Sequence, residues 1–357
     1  MEQFLNEQET ATATQTNTCP SCGAGMGFDI ESGSLKCGHC RTMRELDDGG
    51  AVLRRKLCED IKKAHQPWRE CAVFRCDNCG AKSVMDKKSI AKNCAYCGSA
   101  HIVASEELPG IKPDSVIPFQ VTTETARKRF FKWIKSKIFA PKKLKKINNK
   151  SEFLHQTYSS SWAYSANTVS NYNGTLGRRV TTTRRVNGQT QTSTTIHYFR
   201  VNGMIMENYR DYIVPSCEQI PPRFFNRLKP FDLRLLKVYR QEFLAGIATQ
   251  HYSKCIETCF NVFSNFVRRD LNTKVLRRYN ADVVSHLSLN TQYNDKHFNY
   301  ILLPVYVANF TYKKKRYNFY VNGANGKVVG RYPKSGWRIF FTIITLGLAA
   351  IWFMITG

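Results

Sequence analysis

The chain is short of acidic residues. Its 357 residues include 27 Asp and Glu against 53 Lys and Arg, so the formal net charge is +26 at pH 7. An excess of this size indicates attraction to polyanions, which include nucleic acid, anionic lipid and acidic proteins. The charge alone does not select among these partners.

Recognisable catalytic motifs are also missing. The chain has no nucleophile elbow, no Walker loop, no His-Glu-x-x-His helix and no Gly-x-Gly-x-x-Gly turn. The stretch NGANGK at 322–327 lacks the full Gly-x4-Gly-Lys-Ser/Thr pattern and lies between two β patterns, so we interpret it as a hairpin turn. Acidic side chains for acid–base catalysis are sparse. We therefore predict that the protein is not an enzyme.

The first residues lack the features of a secretory signal. Residues 1–18 are polar and contain neither Lys or Arg nor an apolar stretch, and we expect them to form a flexible tail. A reducing compartment fits this pattern. In such a compartment, paired cysteines bind metal more often than they form disulfides.

Cysteine, by contrast, is abundant, with 13 residues in the chain. The stretches CPSCGAGMGFDIESGSLKCGHC (19–40) and CDNCGAKSVMDKKSIAKNCAYC (76–97) each hold two Cys-x2-Cys pairs at the same separation. Two such pairs supply the four thiolates of a tetrahedral zinc site. We therefore predict two zinc ribbons, with the ligands Cys19, Cys22, Cys37 and Cys40 in the first and Cys76, Cys79, Cys94 and Cys97 in the second.

Both predicted zinc ions are structural, because four protein thiolates leave no coordination position for water. Iron in place of zinc, and disulfides in place of metal, are the alternatives. Glycine follows three of the four pairs, at Gly23, Gly80 and Gly98, where it relieves backbone strain; Arg41 follows the other. We interpret the remaining cysteines as core residues: Cys58, Cys71, Cys217, Cys255 and Cys259.

The rest of the chain predicts an α+β fold with an antiparallel sheet and a helical insertion. Thr, Val and Tyr dominate 157–215, where three Asn-Gly pairs favour tight hairpins. Helical periodicity follows, with an apolar face that includes Ile256, Phe263 and Leu271, and a second β pattern ends the body. We expect the two β regions to form one sheet. The predicted domains are a tail (1–18), tandem zinc ribbons (19–104), a linker with a basic amphipathic helix (105–150), an α+β body (151–334; β 157–215, helical 222–296, β 299–333) and a transmembrane segment (338–357).

A long uncharged run closes the sequence. Residues 339–356 would form a helix of ~27 Å at ~1.5 Å per residue, which is long enough to reach across a hydrocarbon core. Trp337 and Arg338 precede it as interface anchors, and the basic flank places the N-terminal bulk in the cytoplasm. We predict a single-pass tail anchor in the cell membrane. The alternative is a buried core helix.

A basic segment precedes the body. Residues 127–150 contain eleven Lys or Arg and no Asp or Glu, with aromatic residues interleaved. Such a segment can lie on anionic lipid, or bind nucleic acid by stacking and phosphate contacts. It can also be a solvated face whose aromatic side chains pack on the neighbouring domain.

The chain resembles a family of bacterial proteins with zinc ribbons of the transcription-factor-IIB type, which are sometimes labelled primosomal or replication proteins. The resemblance covers residues 19–333. Besides the ribbons and the C-terminal hydrophobic segment, it rests on DSVIPFQVTTETARKRFFKWIKSKIFAPKKL (114–144), KPFDL (229–233), EFLAGI (242–247) and LLPVYVANFTYKKKRYNFYVNGANGKVVGRYP (302–333). The Thr- and Arg-rich β region and Arg41 depart from the family pattern. These departures leave the identity of the binding partner undetermined.

The resemblance implies an adaptor in envelope-stress systems. Some members look like membrane anchors that act with relatives of phage shock protein A and with band-7-like or virion-core-like proteins. We therefore expect a tail-anchored, cytoplasm-facing zinc-ribbon adaptor or scaffold that recruits protein partners to the membrane and has no small-molecule substrate. The alternative is a membrane-tethered nucleic-acid-binding protein, in which the ribbons, the basic run at 127–150 and the stretch GRRVTTTRRVNG (177–188) contact phosphates.

Overall fold

The computed structural model describes most of the chain. The described residues are 18–46, 50, 52, 54–57, 71–86, 94, 96–97, 99, 102–105, 110–141, 144, 154–186, 189–244, 247–313 and 315–356. Of the predicted tail at 1–18, only Thr18 is among these residues. Cys58 and Gly98 also lie outside the described residues.

The described elements are mostly strands. The strands are β1 (Met26–Asp29), β2 (Ser34–Cys37), β3 (Met43–Arg44), β4 (Arg55–Lys56), β5 (Cys71–Cys76), β6 (Lys82–Asp86), β7 (Ile102–Ser105), β8 (Ser115–Val116), β9 (Leu154–Val186), β10 (Gln189–Pro215), β11 (Lys237–Val238), β12 (Ala248–Gln250), β13 (Val283–Tyr312), β14 (Lys315–Asn322) and β15 (Val328–Gly330). The α-helices are α1 (Thr123–Lys135), α2 (Pro222–Leu228), α3 (Ile256–Arg278) and α4 (Gly336–Thr356), and short 3₁₀ turns lie at Leu233–Leu235 and Gln241–Leu244.

Three very long strands form the centre of the fold. Strand β9 pairs antiparallel with β13 along one edge, from Leu154 opposite Ala308 to Gly177 opposite Val283. Along its other edge, β9 pairs antiparallel with β10. The expectation that the two β regions form one sheet is therefore confirmed.

The predicted α+β class with an antiparallel sheet is wrong, because the chain forms mostly β structure with one large mixed sheet. Two short strands that the sequence did not predict cause the difference: β12 joins β9 in parallel, and β8 joins β13 in parallel. Strand β13 also begins inside the stretch predicted as helical. There, half-buried Leu287, Leu289 and Tyr293 alternate with exposed residues, which is the period of a strand.

Two of the three Asn-Gly pairs lie inside strands instead of turns. Asn173 pairs with Asn202, and Gly174 pairs with Val201 on one side and with Leu287 on the other. A Cβ atom on Gly174 would lie 2.2 Å from the carbonyl oxygen of His286. Glycine is needed there because the β13 backbone approaches so closely.

The central strands are buried on both faces. In β13, Ile301, Leu303 and Val305 pack on one face with α2 and the second predicted ribbon. Leu302 and Tyr306 pack on the opposite face with α1 and α3. This two-sided burial explains why the sequence there is a continuous apolar run without alternation.

Helix α3 covers one face through an aromatic cluster. Its buried residues Ile256, Cys259, Phe263, Val267, Leu271 and Val275 recur at helical spacing. The rings of Tyr212 and Phe266 stack at 4.0 Å between centroids, and Tyr164 Oη donates to the carbonyl oxygen of Ile256 at 2.6 Å. These contacts fix α3 across β9 and β10.

The aromatic residues of the basic helix α1 face the body. Phe130 and Ile134 are fully buried, and the half-buried ring of Trp133 contacts those of Phe319 and Tyr332. The exposed side of α1 carries basic residues such as Lys128 and Lys132. Of the three interpretations of this segment, the described part fits a solvated basic face whose aromatic residues pack on the body.

Helix α4 leaves the body from a short docking contact. The Ser335 N–H donates to the carbonyl oxygen of Phe139, and the Arg338 guanidinium donates to that of Ile138, both at 2.8 Å. Beyond these contacts most of the described large apolar side chains of α4 are exposed; Trp337 is 70% and Leu346 is 65% exposed.

The described part of the chain holds no helix long and apolar enough to cross a membrane. The predicted transmembrane tail anchor at 338–357 is therefore wrong, and so is the single-pass location in the cell membrane that rested on it.

One lysine lies partly buried between α2 and β10. Lys229 Nζ donates to the carbonyl oxygen of Ile213 at 2.8 Å and lies over the rings of Tyr212 and Phe225. Burial lowers the pKa of Lys229 from 10.5 to about 8. Since the unfolded chain keeps the ordinary pKa, the protein pays for this burial below pH 8 and regains stability as the pH rises toward 10.5.

We predict that Lys229→Met removes part of the pH dependence of stability. Wild-type protein should gain roughly 2 kcal/mol in the free energy of unfolding between pH 8 and pH 10 relative to the variant. Denaturant unfolding at a series of pH values measures the difference. The exposed Lys315→Met serves as the control, and parallel curves for the wild type and Lys229→Met would contradict the prediction.

Candidate metal centres

The eight predicted ligands come together in two groups of four. In each group the four sulfur atoms lie within 4.8 Å of one another. The nearest Sγ pairs are Cys19–Cys40 (3.3 Å) and Cys22–Cys37 (3.5 Å) in the first group, and Cys76–Cys97 (3.5 Å) and Cys79–Cys94 (3.6 Å) in the second. A disulfide requires ~2.05 Å, whereas a metal with ~2.3 Å bonds to four thiolates separates them by ~3.8 Å. Both groups are therefore compatible with one metal ion each.

Three of the four Cys-x2-Cys pairs form the same tight turn among the described residues. The Gly23 N–H donates to the carbonyl oxygen of Cys19, and the Gly80 N–H to that of Cys76, at 2.9 and 2.8 Å. Gly23 and Gly80 have φ of 72° and 70°, which is the left-handed region that favours glycine. Arg41 takes the same place after Cys40, with φ of 64°. Its backbone N–H donates to the carbonyl oxygen of Cys37 at 3.0 Å.

The thiols of the first centre constrain one another's ionisation. Although burial raises it, the pKa of Cys19 is lowered to about 6 because the N–H groups of Ser21 and Cys22 donate to its sulfur. The Ala24 N–H lowers the pKa of Cys22, but the neighbouring Cys40 thiol and burial outweigh it, so that pKa is raised to about 12. Without a cation, one thiolate therefore keeps its neighbour protonated. A bound metal ion removes this conflict, and its binding releases protons.

The second centre is part of the large sheet. Strand β5 begins and ends at cysteines and pairs with β6 and β7, and β6 pairs with β12 next to β9. Tyr96, which lies between ligands Cys94 and Cys97, is buried, with its hydroxyl 3.4 Å from that of Thr157 in β9. Burial also raises the pKa of the Cys94 thiol to about 11. The sequence analysis did not predict that Tyr96 attaches this centre to the sheet. The only indication in the sequence is an aromatic residue between two of the cysteine ligands.

The first centre has a small sheet of its own. Strands β1, β2 and β3 form it, with Leu35 and Met26 buried beside the ligands. Its contact with the body is mainly apolar: the Phe28 ring lies 5.6 Å from that of Phe243 between centroids. The two centres thus share a ligand pattern but differ in their attachment.

The other described cysteines lie apart from both centres. Cys71, Cys217 and Cys259 are buried, and burial raises the pKa of the Cys217 thiol. Cys255 is exposed at the residue that precedes α3. Their placement as core residues holds for the three buried ones and is wrong for Cys255, because that position lies at the solvent-facing start of the helix.

We predict that the two centres differ in their effect on global stability. Cys76→Ser with Cys79→Ser should lower the main unfolding temperature by roughly 5–10 °C, because loss of this metal disrupts strands of the large sheet. Cys19→Ser with Cys22→Ser should remove one metal ion and leave the main transition within ~2 °C. Calorimetry and metal analysis of the purified variants measure both effects. Equal shifts for the two variants would contradict the prediction.

We also predict that Arg41→Gly strengthens the first centre by ~1 kcal/mol, since glycine adopts positive φ without strain. The chelator concentration that removes half of this metal should rise about fivefold. Gly80→Ala is the reciprocal variant: no atom lies within 4 Å of the added Cβ, so only the backbone cost weakens the second centre. Unchanged or easier metal loss from Arg41→Gly would disprove this account.

Comparison with known proteins adds one relative. No family model matches the chain, and no solved structure matches it. The chain is similar to the uncharacterized protein YdjG of Bacillus subtilis (strain 168), with 25% identity over 342 residues that cover 94% of this chain and 92% of that protein. The similarity extends over nearly the full length of both chains, and the name of that protein states no activity.

Proposed function

We propose that the chain is a non-catalytic zinc-ribbon adaptor that binds a protein partner through the apolar surface of α4. The closed metal centres and the exposed helix support this proposal together. Four thiolates complete each coordination shell, so the metal ions serve to hold local structure. Zinc is the metal that such sets of four cysteines most often bind, and iron is the alternative that metal analysis separates from it.

The exposed surface of α4 carries the proposal. Its exposed large apolar side chains are Trp337, Phe340, Phe341, Ile343, Ile344, Leu346, Leu348, Trp352 and Met354. A helix that is apolar on all sides is normally buried, and large exposed apolar patches mark interaction sites. Apolar helices of another protein would cover it. The resemblance to the zinc-ribbon family suggests relatives of phage shock protein A or band-7-like proteins as candidates for that partner.

The test is affinity capture of the full chain from nuclease-treated extract in mild detergent, with captured proteins quantified. We expect a stoichiometric protein partner that is lost from Ile343→Ser with Leu346→Ser, because these exposed side chains supply binding surface and not internal packing. Reconstitution of the complex from the purified partner would confirm direct contact.

The matched control is Val262→Ser, which removes an exposed apolar side chain from α3 (47% exposed). It should retain the partner. Identical capture by the wild type, the control and the double variant would refute binding through α4. The double-ribbon cysteine variants extend the test, since retention of every partner without either metal would remove the ribbons from the adaptor's role.

A second candidate function rests on the β9–β10 hairpin. Beyond Gly177, where β13 ends, residues 178–186 and 189–197 form a two-stranded arm without Asp or Glu. Its Arg184 and Arg185 lie on opposite faces and are exposed. A ribbon of this width fits the major groove of DNA, and its arginines would meet phosphates.

The same capture in parallel without nuclease separates the two candidates. Nucleic acid without a reproducible protein partner would favour the arm. In that case Arg184→Gln with Arg185→Gln should reduce the slope of log K against log salt by about 2, because two phosphate contacts are lost.

A further inference from the structure

A cavity of about 380 Å³ lies where the second metal centre meets the large sheet. Its walls come from the Cys79–Cys97 side of the centre, the start of α2, strand β14 and the residue that follows β15. The volume falls in the range of small-molecule sites. Nothing in the metal-binding role of the cysteines requires such a space.

Three exposed arginines from separate parts of the chain line this cavity. Arg223 comes from α2, Arg316 from β14 and Arg331 from the segment after β15. No acidic side chain lines the cavity, and among the described residues none of the three arginines forms an ion pair with a carboxylate. Three like charges around one space repel one another, and an anion within it relieves the repulsion.

The uncharged wall is aromatic and held in place. The rings of Phe224 and Tyr320 lie 5.8 Å apart, and Tyr320 Oη donates to the carbonyl oxygen of Gln219 at 3.1 Å. The Arg223 guanidinium lies 4.6 Å from the centre of the Phe224 ring. Half-buried Tyr317 adds a further ring to the lining. Such walls can accept a flat ring, while guanidinium groups bind phosphate through paired N–H donors.

We propose that this cavity binds a phosphorylated small molecule of the nucleotide class. The three arginines contact the phosphate groups and the aromatic wall receives the base. This role goes beyond the adaptor function, and the binding site shares no residue with α4 or with the arm. Cys79 and Cys97 form part of the wall, so the site is complete only when the second centre is folded.

The competing role for the arginines is electrostatic support of the metal centre. Four thiolates around a divalent ion carry a net negative charge, which nearby arginines would partly balance. This role predicts loss of metal when the arginines are replaced and requires no ligand.

The test is calorimetric titration of the full-length, metal-loaded protein with ADP, pyrophosphate and adenosine. We expect ADP to bind, pyrophosphate to bind more weakly and adenosine to show no measurable binding. Arg316→Gln with Arg331→Gln should weaken ADP binding at least tenfold with the metal content unchanged. Arg227→Gln, on α2 but outside the cavity lining, is the matched control and should bind ADP as the wild type does.

Absence of binding by both ADP and pyrophosphate at millimolar concentrations would overturn the proposal. Equal weakening by the control and by the cavity variant would overturn it as well, because it would reduce the effect to overall charge. Loss of metal from the cavity variant, with no ADP binding by the wild type, would assign the arginines to the metal centre instead.

Discussion

Backbone pairing along β9 is the constraint on which the other parts of the molecule depend. This strand of 33 residues is paired at both edges, with β13 on one side and with β10 and then β12 on the other. Through β12 it holds the second metal centre, and through β13 it holds β4, β8 and β14. The helices pack on a surface that these pairings have already aligned.

The two cysteine groups show that one ligand pattern can occur both in a small separate sheet and within the large sheet. Cysteine spacing determines the local turn and the set of four thiolates, and three of the pairs are followed by a left-handed residue, Gly23, Arg41 or Gly80. It does not determine what lies around the turn. The first group of cysteines lies beside three short strands that contact the body through Phe28, while the second lies on strands that continue into the body sheet.

What the sequence predicted well was local. The cysteine groups and the apolar face of α3 follow from spacing along the chain, and the structure brings those residues together. What it could not predict depends on distant partners. Gly174 looks like a turn residue until the β13 backbone lies against it, and the three residues of β12 carry too little pattern to indicate a strand.

The length of the apolar run at 339–356 suggested a membrane span that the described residues do not provide. The arginines of the cavity are separated along the chain, and only the folded arrangement of α2, β14 and the residue after β15 places them around one space.

The continuity of β5 and β6 with the body sheet has a consequence for how such chains are assembled in evolution. The first cysteine group has its own sheet and, among the described residues, few contacts with the body, so recombination could exchange it, or delete it, as a separate module. A boundary drawn around the second ribbon would cut hydrogen-bonded strands and expose the edge of β12. The repeated cysteine pattern therefore looks like two interchangeable copies, yet only the first can be transferred to another protein intact.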